Sequence, residues 1–226
     1  MRISILTLFP RALRPFLRAS ILGRAQDAGL LRLDVLDLRD QALDRHRTAD
    51  DTPYGGGPGM VLKAEPVVRA VRAVRTPESK VILMSPQGEK FGQTLAKELA
   101  GEKHLILVCG HYRGLDERAR DLVVDREISV GDYVLSGGEA AALVVADAVG
   151  RTVPGVVGDA GSAEADSFMD GDLDHASYTR PEEFEGLRVP EALLSGDHAR
   201  IQAYRNRERR ERTLSRRPDL PGGGRK

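Results

Sequence analysis

The chain has 226 residues, 41% of them hydrophobic, and with aromatic residues at 4% and no tryptophan its core must be aliphatic. Basic and acidic residues balance at 34 each, and the single cysteine, Cys109, excludes an internal disulfide and a zinc site made of cysteines. No apolar run reaches membrane-spanning length, and the short apolar start predicts a first strand, not a signal peptide. We expect a soluble cytoplasmic protein with no membrane partner.

The first 150 residues alternate short apolar runs with amphipathic segments. In chain order the patterns predict strand RISILTLF, helix FLRASILGRAQDAG closed by Gly29, strand LLRLDVLDL, helix EPVVRAVRAVR, strand KVILMS, helix FGQTLAKELAG, strand HLILVCG, strand LVVDREISV and helix GEAAALVVADAVGR. Strands KVILMS and HLILVCG are apolar throughout, which is typical of parallel strands buried on both faces. Strands that alternate with helices predict an α/β domain with a mostly parallel sheet.

After Arg151 the character of the chain changes. A segment rich in Gly, Pro, Ser and acids predicts a mobile linker. A short helix at VPEALL follows, and a second helix begins at the cap residue Asp197 and runs through HARIQAYRNRERRERTLS. Its stretch RNRERRERT has no large apolar residue, so we expect it not to pack into a core of its own. Residues 197–226 carry ten Lys or Arg against four Asp or Glu, a basic tail that indicates a polyanionic partner.

Three predicted loops follow buried strands and contain glycine: SPQGEKFG, CGHYRGLDER and VGDYVLSGGE. Ligands of α/β sheets bind beyond the carboxyl ends of the strands, so these loops are candidates for one pocket. Glycine in an ordered loop indicates a close approach to the backbone, because it costs conformational entropy that alanine would not. No Walker lysine supports a nucleoside triphosphate. An adenosine-like ligand held by main-chain groups, with Tyr133 and Leu135 framing it, fits the pattern.

The polar segment DRHRTADDTPYGGGPGM, residues 44–60, is long, and its glycine run beside Tyr54 favours a functional loop over a solvated connector. The histidines are too scattered to predict a metal site, and no G-x-S-x-G sequence supports a hydrolase nucleophile. The acids of the linker, Asp166 among them, are by themselves simply solvated.

Several of these motifs occur together in the order found in one known family. They are LFP at 8–10, DRHRTADDTPYGGGPGM at 44–60, SPQG at 85–88, CGHYRGLDER at 109–118, GDYVLSGGE at 131–139, PGVVG at 154–158, DSF at 166–168, YTRP at 178–181 and LLSGDH at 193–198. The chain resembles the bacterial tRNA (guanine-37-N1)-methyltransferases, SPOUT-class enzymes that use S-adenosylmethionine. The resemblance covers nearly the whole chain, and GDYVLSGGE together with PYGGGPGM is very specific.

The resemblance implies a SPOUT-type, mostly parallel sheet with a C-terminal trefoil knot, which is a rare exception to ordinary chain topology, plus a small helical C-terminal domain. It implies a cofactor-binding and catalytic domain at 1–156, a flexible linker at 157–170 and a helical tRNA-binding domain at 171–226. It also implies an obligate homodimer with each active site at the subunit interface.

By the same resemblance, the three glycine loops form the knot and hold S-adenosylmethionine in a bent shape, with glycines of 131–138 letting the backbone approach the cofactor. The implied cofactor-binding residues are Met84, Ser85, Pro86, Gly88, Gly110, Val130, Gly131, Asp132, Tyr133, Val134, Leu135, Gly137 and Gly138. The family usually needs magnesium, and no set of ligands in the sequence indicates where it would bind.

The resemblance carries over two catalytic residues, Arg151 and Asp166. N1 of guanine is protonated at neutral pH, so methylation of this atom needs a base, and Asp166 fills that role. Negative charge then builds towards O6, where Arg151 stabilises it. One departure is Arg113, which stands where many members have an acid, and no catalytic role is assigned to it.

Two other hypotheses remain open at this point. One is a SPOUT methyltransferase that acts on a different RNA base, against which the DSF segment and the basic C-terminal helix argue. The other is a catalytically silent RNA-binding protein, against which Asp166 and Arg151 argue. Calorimetry with S-adenosylmethionine separates the silent protein from both enzymes, because it would show no heat of cofactor binding.

Overall fold

The computed structural model describes residues 1–158 and 166–220. The chain divides into two compact units, Met1–Gly158 and Asp159–Lys226. The linker predicted at 157–170 spans this division, and its central part, 159–165, lies outside the described residues. The flexibility of that linker therefore stays a prediction.

The first unit contains seven strands and six α-helices among its described residues. The strands are β1 (Arg2–Thr7), β2 (Arg32–Asp37), β3 (Asp50–Asp51), β4 (Val61–Leu62), β5 (Ser79–Lys90), β6 (His104–Cys109) and β7 (Arg126–Ser129). The helices are α1 (Pro10–Leu17), α2 (Ser20–Asp27), α3 (Ala64–Val74), α4 (Gln93–Ala100), α5 (Glu117–Val123) and α6 (Glu139–Gly150). A short 3-10 helix, Leu38–Gln41, follows β2, and β3 pairs with β4 as a small antiparallel ladder.

Five of these strands form one sheet in the order β2-β1-β6-β5-β7, and every neighbouring pair is parallel. Strand β6, between β1 and β5, is buried along its whole length. Its uninterrupted apolar sequence is what a parallel strand covered on both faces requires. The mostly parallel α/β fold predicted from the sequence is confirmed.

Two clusters of buried side chains cover the two faces of this sheet. On one face, Leu107 packs with Leu99 of α4 and Val145 of α6. On the other, Ile106 packs with Val71 of α3. The buried members of both clusters are aliphatic, small or sulfur-containing, in agreement with the aliphatic core expected from the composition.

Two helical segments differ from the sequence-based prediction. The single helix expected up to Gly29 is broken into α1 and α2, because Ser20 has a φ of +51°, which a continuous right-handed helix cannot contain. Gly29 does follow the end of α2 with a φ of +71°, as a C′ glycine should. The predicted strand LVVDREISV begins too early, because its first residues, Leu122 and Val123, end helix α5. Ala119 and Val123, four residues apart, form the buried face of this helix.

The described part of the second unit contains a two-stranded hairpin and two helices. They are β8 (Glu183–Phe184), β9 (Leu187–Arg188), α7 (Glu191–Leu194) and α8 (His198–Arg216). The predicted cap of α8 is confirmed, since the Asp197 carboxylate accepts hydrogen bonds from the backbone N–H groups of Ala199 (2.9 Å) and Arg200 (3.2 Å).

The polar stretch of α8 packs within its own unit, contrary to the expectation from its sequence. It does so through polar contacts. Arg209 Nη2 donates to both carboxylate oxygens of Asp170, at 2.6 and 2.7 Å, and the fully buried Thr213 accepts a bond from Leu173 N. A count of apolar residues cannot reveal packing of this kind.

Within the ranges 1–158 and 166–220, no helix combines the length and the apolarity that crossing a bilayer demands.

Candidate active site

Two of the three predicted loops follow the carboxyl ends of β6 and β7, whereas SPQGEKFG, predicted as a loop, is mostly the bulged second half of β5. All three segments surround a cavity of about 340 Å³ at one edge of the sheet. Eleven of the predicted cofactor-binding residues line it: Met84, Ser85, Pro86, Gly110, Val130, Gly131, Tyr133, Val134, Leu135, Gly137 and Gly138. The other two, Gly88 and Asp132, do not line it. Asp132 instead has an exposed side chain 3.4 Å from the Lys90 ammonium.

Gly88 has a place in building the cavity although it does not line it. Met84 and Glu89 both pair with Ile128, so the intervening residues leave the ladder as a bulge towards the cavity. A Cβ at Gly88 would lie 2.4 Å from Ile128 N, a distance that no real side chain tolerates. Glycine is therefore needed here so that β5 can rejoin β7 after the bulge.

The glycine pair at 137–138 approaches the protein's own chain. Gly138 N donates to Gly110 O at 2.7 Å, and a Cβ on Gly138 would lie 2.8 Å from Cys109 Cα. A Cβ on Gly137 would meet the side chains of Glu139 at 2.2 Å and His111 at 2.4 Å. These two glycines thus let the loop VGDYVLSGGE pack on the end of β6. From the sequence alone, this reason for glycine cannot be distinguished from contact with a ligand.

Gly137 gives room to a polar contact that the sequence analysis missed. Glu139 Oε1 accepts a hydrogen bond from the buried Thr7 hydroxyl at 2.7 Å. The same hydroxyl accepts a bond from Phe9 N. His111 Nδ1, which is buried and lacks a hydrogen-bond partner, lies 3.8 Å from Glu139 Oε2. The contact joins the LFP, CGHY and SGGE motifs, which are distant in sequence, and only three-dimensional pairing reveals it.

A family model, described as "tRNA (Guanine-1)-methyltransferase TrmD", matches residues 1–222 of the chain. The chain belongs to the tRNA (guanine-1)-methyltransferase family. Proteins called tRNA (guanine-N(1)-)-methyltransferase are 53% identical in Carboxydothermus hydrogenoformans, 56% in Chloroflexus aggregans and 54% in an Anaeromyxobacter species. Each alignment covers 97% of this chain, and it covers 87%, 87% and 90% of those relatives.

In this member of the tRNA (guanine-1)-methyltransferase family, a charged cluster also lines the cavity. Arg120 forms an ion pair with Glu127 and donates a hydrogen bond to Glu117 at 3.0 Å. The bond to Glu117 and the charge of Glu127 raise the pKa of the Arg120 guanidinium above its usual value, so it stays protonated. None of these three residues was singled out from the sequence, because charged residues flanking a strand look like ordinary surface.

The catalytic pair inferred from the resemblance to the tRNA (guanine-1)-methyltransferases is divided between the two units. Arg151 is the exposed residue that ends α6 in the first unit. Asp166 opens the described part of the second unit, is half-buried, and its carbonyl accepts a bond from Met169 N at 3.3 Å. Their catalytic roles stay predictions.

Across residues 1–158 and 166–220, no group of three or more His, Cys, Asp or Glu side chains could hold a metal ion. The magnesium requirement implied for the family therefore has no candidate ligand set in this part of the chain.

Proposed function

We propose that this protein transfers a methyl group from S-adenosylmethionine to N1 of guanine 37 in tRNA, next to the anticodon, in the cytoplasm. The observation that carries the proposal is the cavity. It is formed by three glycine-bearing loops at the carboxyl edge of a parallel sheet, where α/β proteins bind ligands, in a chain that matches a tRNA (guanine-1)-methyltransferase family along almost its whole length.

The cavity fits S-adenosylmethionine in size and chemistry. Its volume of about 340 Å³ falls within the usual range of ligand pockets. Met84, Ile128, Val130 and Leu135 supply apolar wall suited to a purine, and glycine backbone lines the same space. When bound, S-adenosylmethionine supplies an electrophilic methyl group on a sulfonium. The loops of this chain would bind and orient it and keep water from its reactive face.

The residues proposed for catalysis supply a base and a cation. Asp166 takes the proton from guanine N1, which lets that nitrogen act as the nucleophile. Arg151 stabilises the negative charge that develops towards O6. We propose that the linker predicted at 157–170 becomes ordered when tRNA docks and that this brings Asp166 to guanine N1.

The strand order supports the proposed trefoil knot. From β6 the chain must pass β5 to reach β7 at the sheet edge, since β5 lies between them. The segment after β7 then comes back to the end of β6, where Gly137 pairs with His111 and Gly138 bonds to Gly110. The chain thus runs from β6 past β5 to β7 and then returns to the end of β6. A trefoil knot in this region needs a chain course of this kind.

Exposed apolar side chains support the proposed homodimer, with each active site at the subunit interface. Val134 is 92% exposed, and Tyr133 and Leu135 beside it are 57% and 41% exposed. Three such neighbours at the wall of a cavity are typical of a surface that a partner covers. We propose that a second copy of the chain is that partner.

The basic C-terminal unit is proposed as a helical tRNA-binding domain. Several α8 arginines are engaged internally, such as Arg209 with Asp170 and Arg212 with Glu208. Arg205 and Arg207 have exposed side chains. Arg205 also lines a second cavity, of about 530 Å³, together with Tyr178 and Arg180. Cations beside an aromatic ring suit the phosphates and bases of RNA.

The test is methyl transfer to tRNA transcripts that differ only at positions 36 and 37. We expect 1-methylguanosine, identified by mass spectrometry, only when position 37 is guanine. Methylation at another base would refute the proposed position and favour a different SPOUT methyltransferase. Absence of both cofactor heat in calorimetry and methyl transfer would instead favour a silent RNA-binding protein.

A further inference from the structure

Arg113 lines the cavity and at the same time contacts the glycine loop, which we define as residues 54–59. Its Nη1 atom donates a hydrogen bond to Pro58 O at 2.9 Å. Its backbone N–H donates to Met60 O at 3.1 Å, directly after the loop. One residue therefore connects the cavity wall to the glycine loop through both its side chain and its backbone.

The glycines facing Arg113 leave the space that its side chain occupies. A Cβ on Gly59 would lie 2.9 Å from Arg113 Cδ, and one on Gly57 would lie 3.2 Å from Arg113 Nη1. Gly55 and Gly56 have open space where a Cβ would be. All four glycines have positive φ, but only at Gly57 and Gly59 would an added Cβ also meet the Arg113 side chain.

The backbone next to this contact is already fixed. Leu62 N donates to Gly114 O, and Asp116 N donates to Leu62 O, both at 3.0 Å. These bonds anchor the base of the glycine loop to the segment that carries Arg113. They do not reach residues 54–59, where four glycines give the chain wide conformational freedom. The Arg113 guanidinium does reach into the loop, where it bonds to Pro58 O.

We propose that Arg113 is a positioning residue that holds the glycine loop against the mouth of the cavity and so sets the placement of the incoming guanine. A planar guanidinium on a long stem can lie along glycine backbone and still donate to a carbonyl oxygen. A loop held in its working shape before binding saves the entropy of ordering it during binding. The part of this inference that concerns guanine rests on the proposed function.

The first experiment needs neither cofactor nor tRNA. Amide hydrogen exchange is measured on the free protein for Arg113→Ala, Arg113→Lys and the control Arg69→Ala. Arg69 is an exposed arginine of α3. We expect exchange at residues 54–60 to rise roughly 10-fold in Arg113→Ala, the effect of one charge-assisted hydrogen bond, and to recover partly in Arg113→Lys. Unchanged exchange in Arg113→Ala would overturn the proposal.

A matched pair of glycine variants isolates the contact itself. Gly55→Ala and Gly59→Ala both place a side chain at similar positive φ, +84° and +91°, but only the second meets Arg113. We expect Gly59→Ala to raise loop exchange more than Gly55→Ala in the wild-type background. This excess should disappear when Arg113 is Ala. An excess of the same size in both backgrounds would mean that backbone strain alone explains Gly59.

Kinetics then test the consequence for tRNA. We expect kcat/KM for tRNA to fall roughly 10-fold in Arg113→Ala, mainly through KM and by more than any loss of cofactor affinity. An equal loss of cofactor affinity would overturn a role in guanine placement. If the wild-type chain itself transfers no methyl group, the proposed function fails, and the exchange measurements still decide whether Arg113 holds the loop.

Discussion

The cavity in the first unit and helix α8 in the second unit are organised by different parts of the polypeptide. Around the cavity, backbone meets backbone: Gly88 lies against Ile128, and Gly138 lies against Cys109, at distances that exclude a Cβ. Along α8, by contrast, side chains meet side chains, as in the ion pairs of Arg209 with Asp170 and Arg212 with Glu208. The structure around the cavity therefore depends on glycines, which have no side chain, whereas the packing of α8 depends on paired side chains.

This difference determines how much each region can tolerate. A Cβ that collides with backbone cannot be relieved by a change of rotamer, so the cavity should respond sharply to small substitutions. Ion pairs near the surface are weak, so α8 should tolerate the loss of a single charged side chain with only a small loss of stability. The following predictions test this contrast, beginning with the residue that we assign to the chemistry itself.

The largest effect is expected for Asp166→Asn. This change keeps the size of the side chain but removes the proposed base, and general-base catalysis is typically worth about 10²- to 10⁴-fold. We expect a loss of that order in the single-turnover rate of methyl transfer. Cofactor affinity, measured on the same variant by calorimetry, should stay nearly unchanged, because the residues that line the cavity belong to the first unit.

The same pair of measurements can contradict this assignment. A rate within a few-fold of wild type would mean that another group or water takes the proton from guanine N1. A loss of rate together with a loss of cofactor affinity would mean that Asp166 supports the cavity structurally. In that case the contrast between the two units would itself fail.

The next effect is expected for Gly138→Ala. The added methyl group would lie 2.8 Å from Cys109 Cα and 2.9 Å from Gly110 N, so the third loop must move away from β6. Overpacking of this kind costs about 1–3 kcal/mol, and we expect cofactor affinity to fall roughly 10- to 100-fold. The control is Gly158→Ala, where a Cβ would have no neighbour within 4 Å. Equal behaviour of the two variants in calorimetry would contradict the prediction.

These two regions also differ in how well they could be predicted from the sequence. Buried parallel strands follow from uninterrupted apolar runs, and glycine after each strand indicated the shared cavity, because both are local signals. The contact between Thr7 and Glu139 could not be predicted, since 132 residues separate its members. Periodicity likewise missed α5 and the break at Ser20, because a short helix with a β-like sequence and a single positive φ leave no repeating pattern.

The site residues repeat this division. The resemblance implies that Gly88 binds the cofactor, whereas the structure places backbone atoms of β7 beside it and does not place it in the cavity wall. A glycine in the sequence indicates that some group comes close to the backbone at that position. It does not indicate whether that group is a ligand or another part of the chain. On α8 the sequence shows only how many arginines there are. The structure separates Arg209, which is 19% exposed and bonded to Asp170, from Arg207, which is 68% exposed and lies 3.9 Å from Glu211. This difference in exposure decides which α8 arginines to test for tRNA binding.

A smaller effect is expected when exposed arginines of α8 lose their charge. We predict that Arg205→Gln combined with Arg207→Gln weakens tRNA binding and flattens its salt dependence by about 1.4 to 1.8 in the log–log slope, at 0.7 to 0.9 per phosphate contact. The control pair is Arg69→Gln with Arg72→Gln on α3, where both residues are also exposed. Filter binding at several salt concentrations measures the salt dependence of tRNA binding for both pairs of substitutions. Equal slopes would mean that the α8 arginines face solvent and make no contact with tRNA phosphates.

The smallest effect is expected for the ion pair that packs α8 within its unit. The hydrogen bond from Arg209 holds the pKa of the Asp170 carboxyl below its usual value. The folded-state pKa thus lies under the unfolded value of about 3.9. The pair's contribution to stability is therefore fully present above that unfolded pKa and is lost as the pH falls through the folded pKa.

Asp170→Asn should accordingly lower the free energy of unfolding at pH 7 by no more than about 1 kcal/mol, since the Asp170 side chain is half exposed and screened by solvent. The difference from wild type should shrink as the pH falls below about 4. Asp219→Asn is the matched control, because Asp219 pairs with Arg217, which is 44% exposed against 19% for Arg209. Urea unfolding at pH 7 and at about pH 3, which is below the unfolded pKa, measures all three proteins. An equal effect of the two substitutions would mean that the Asp170 pair is ordinary surface and that α8 is held by Thr213 and its neighbours instead.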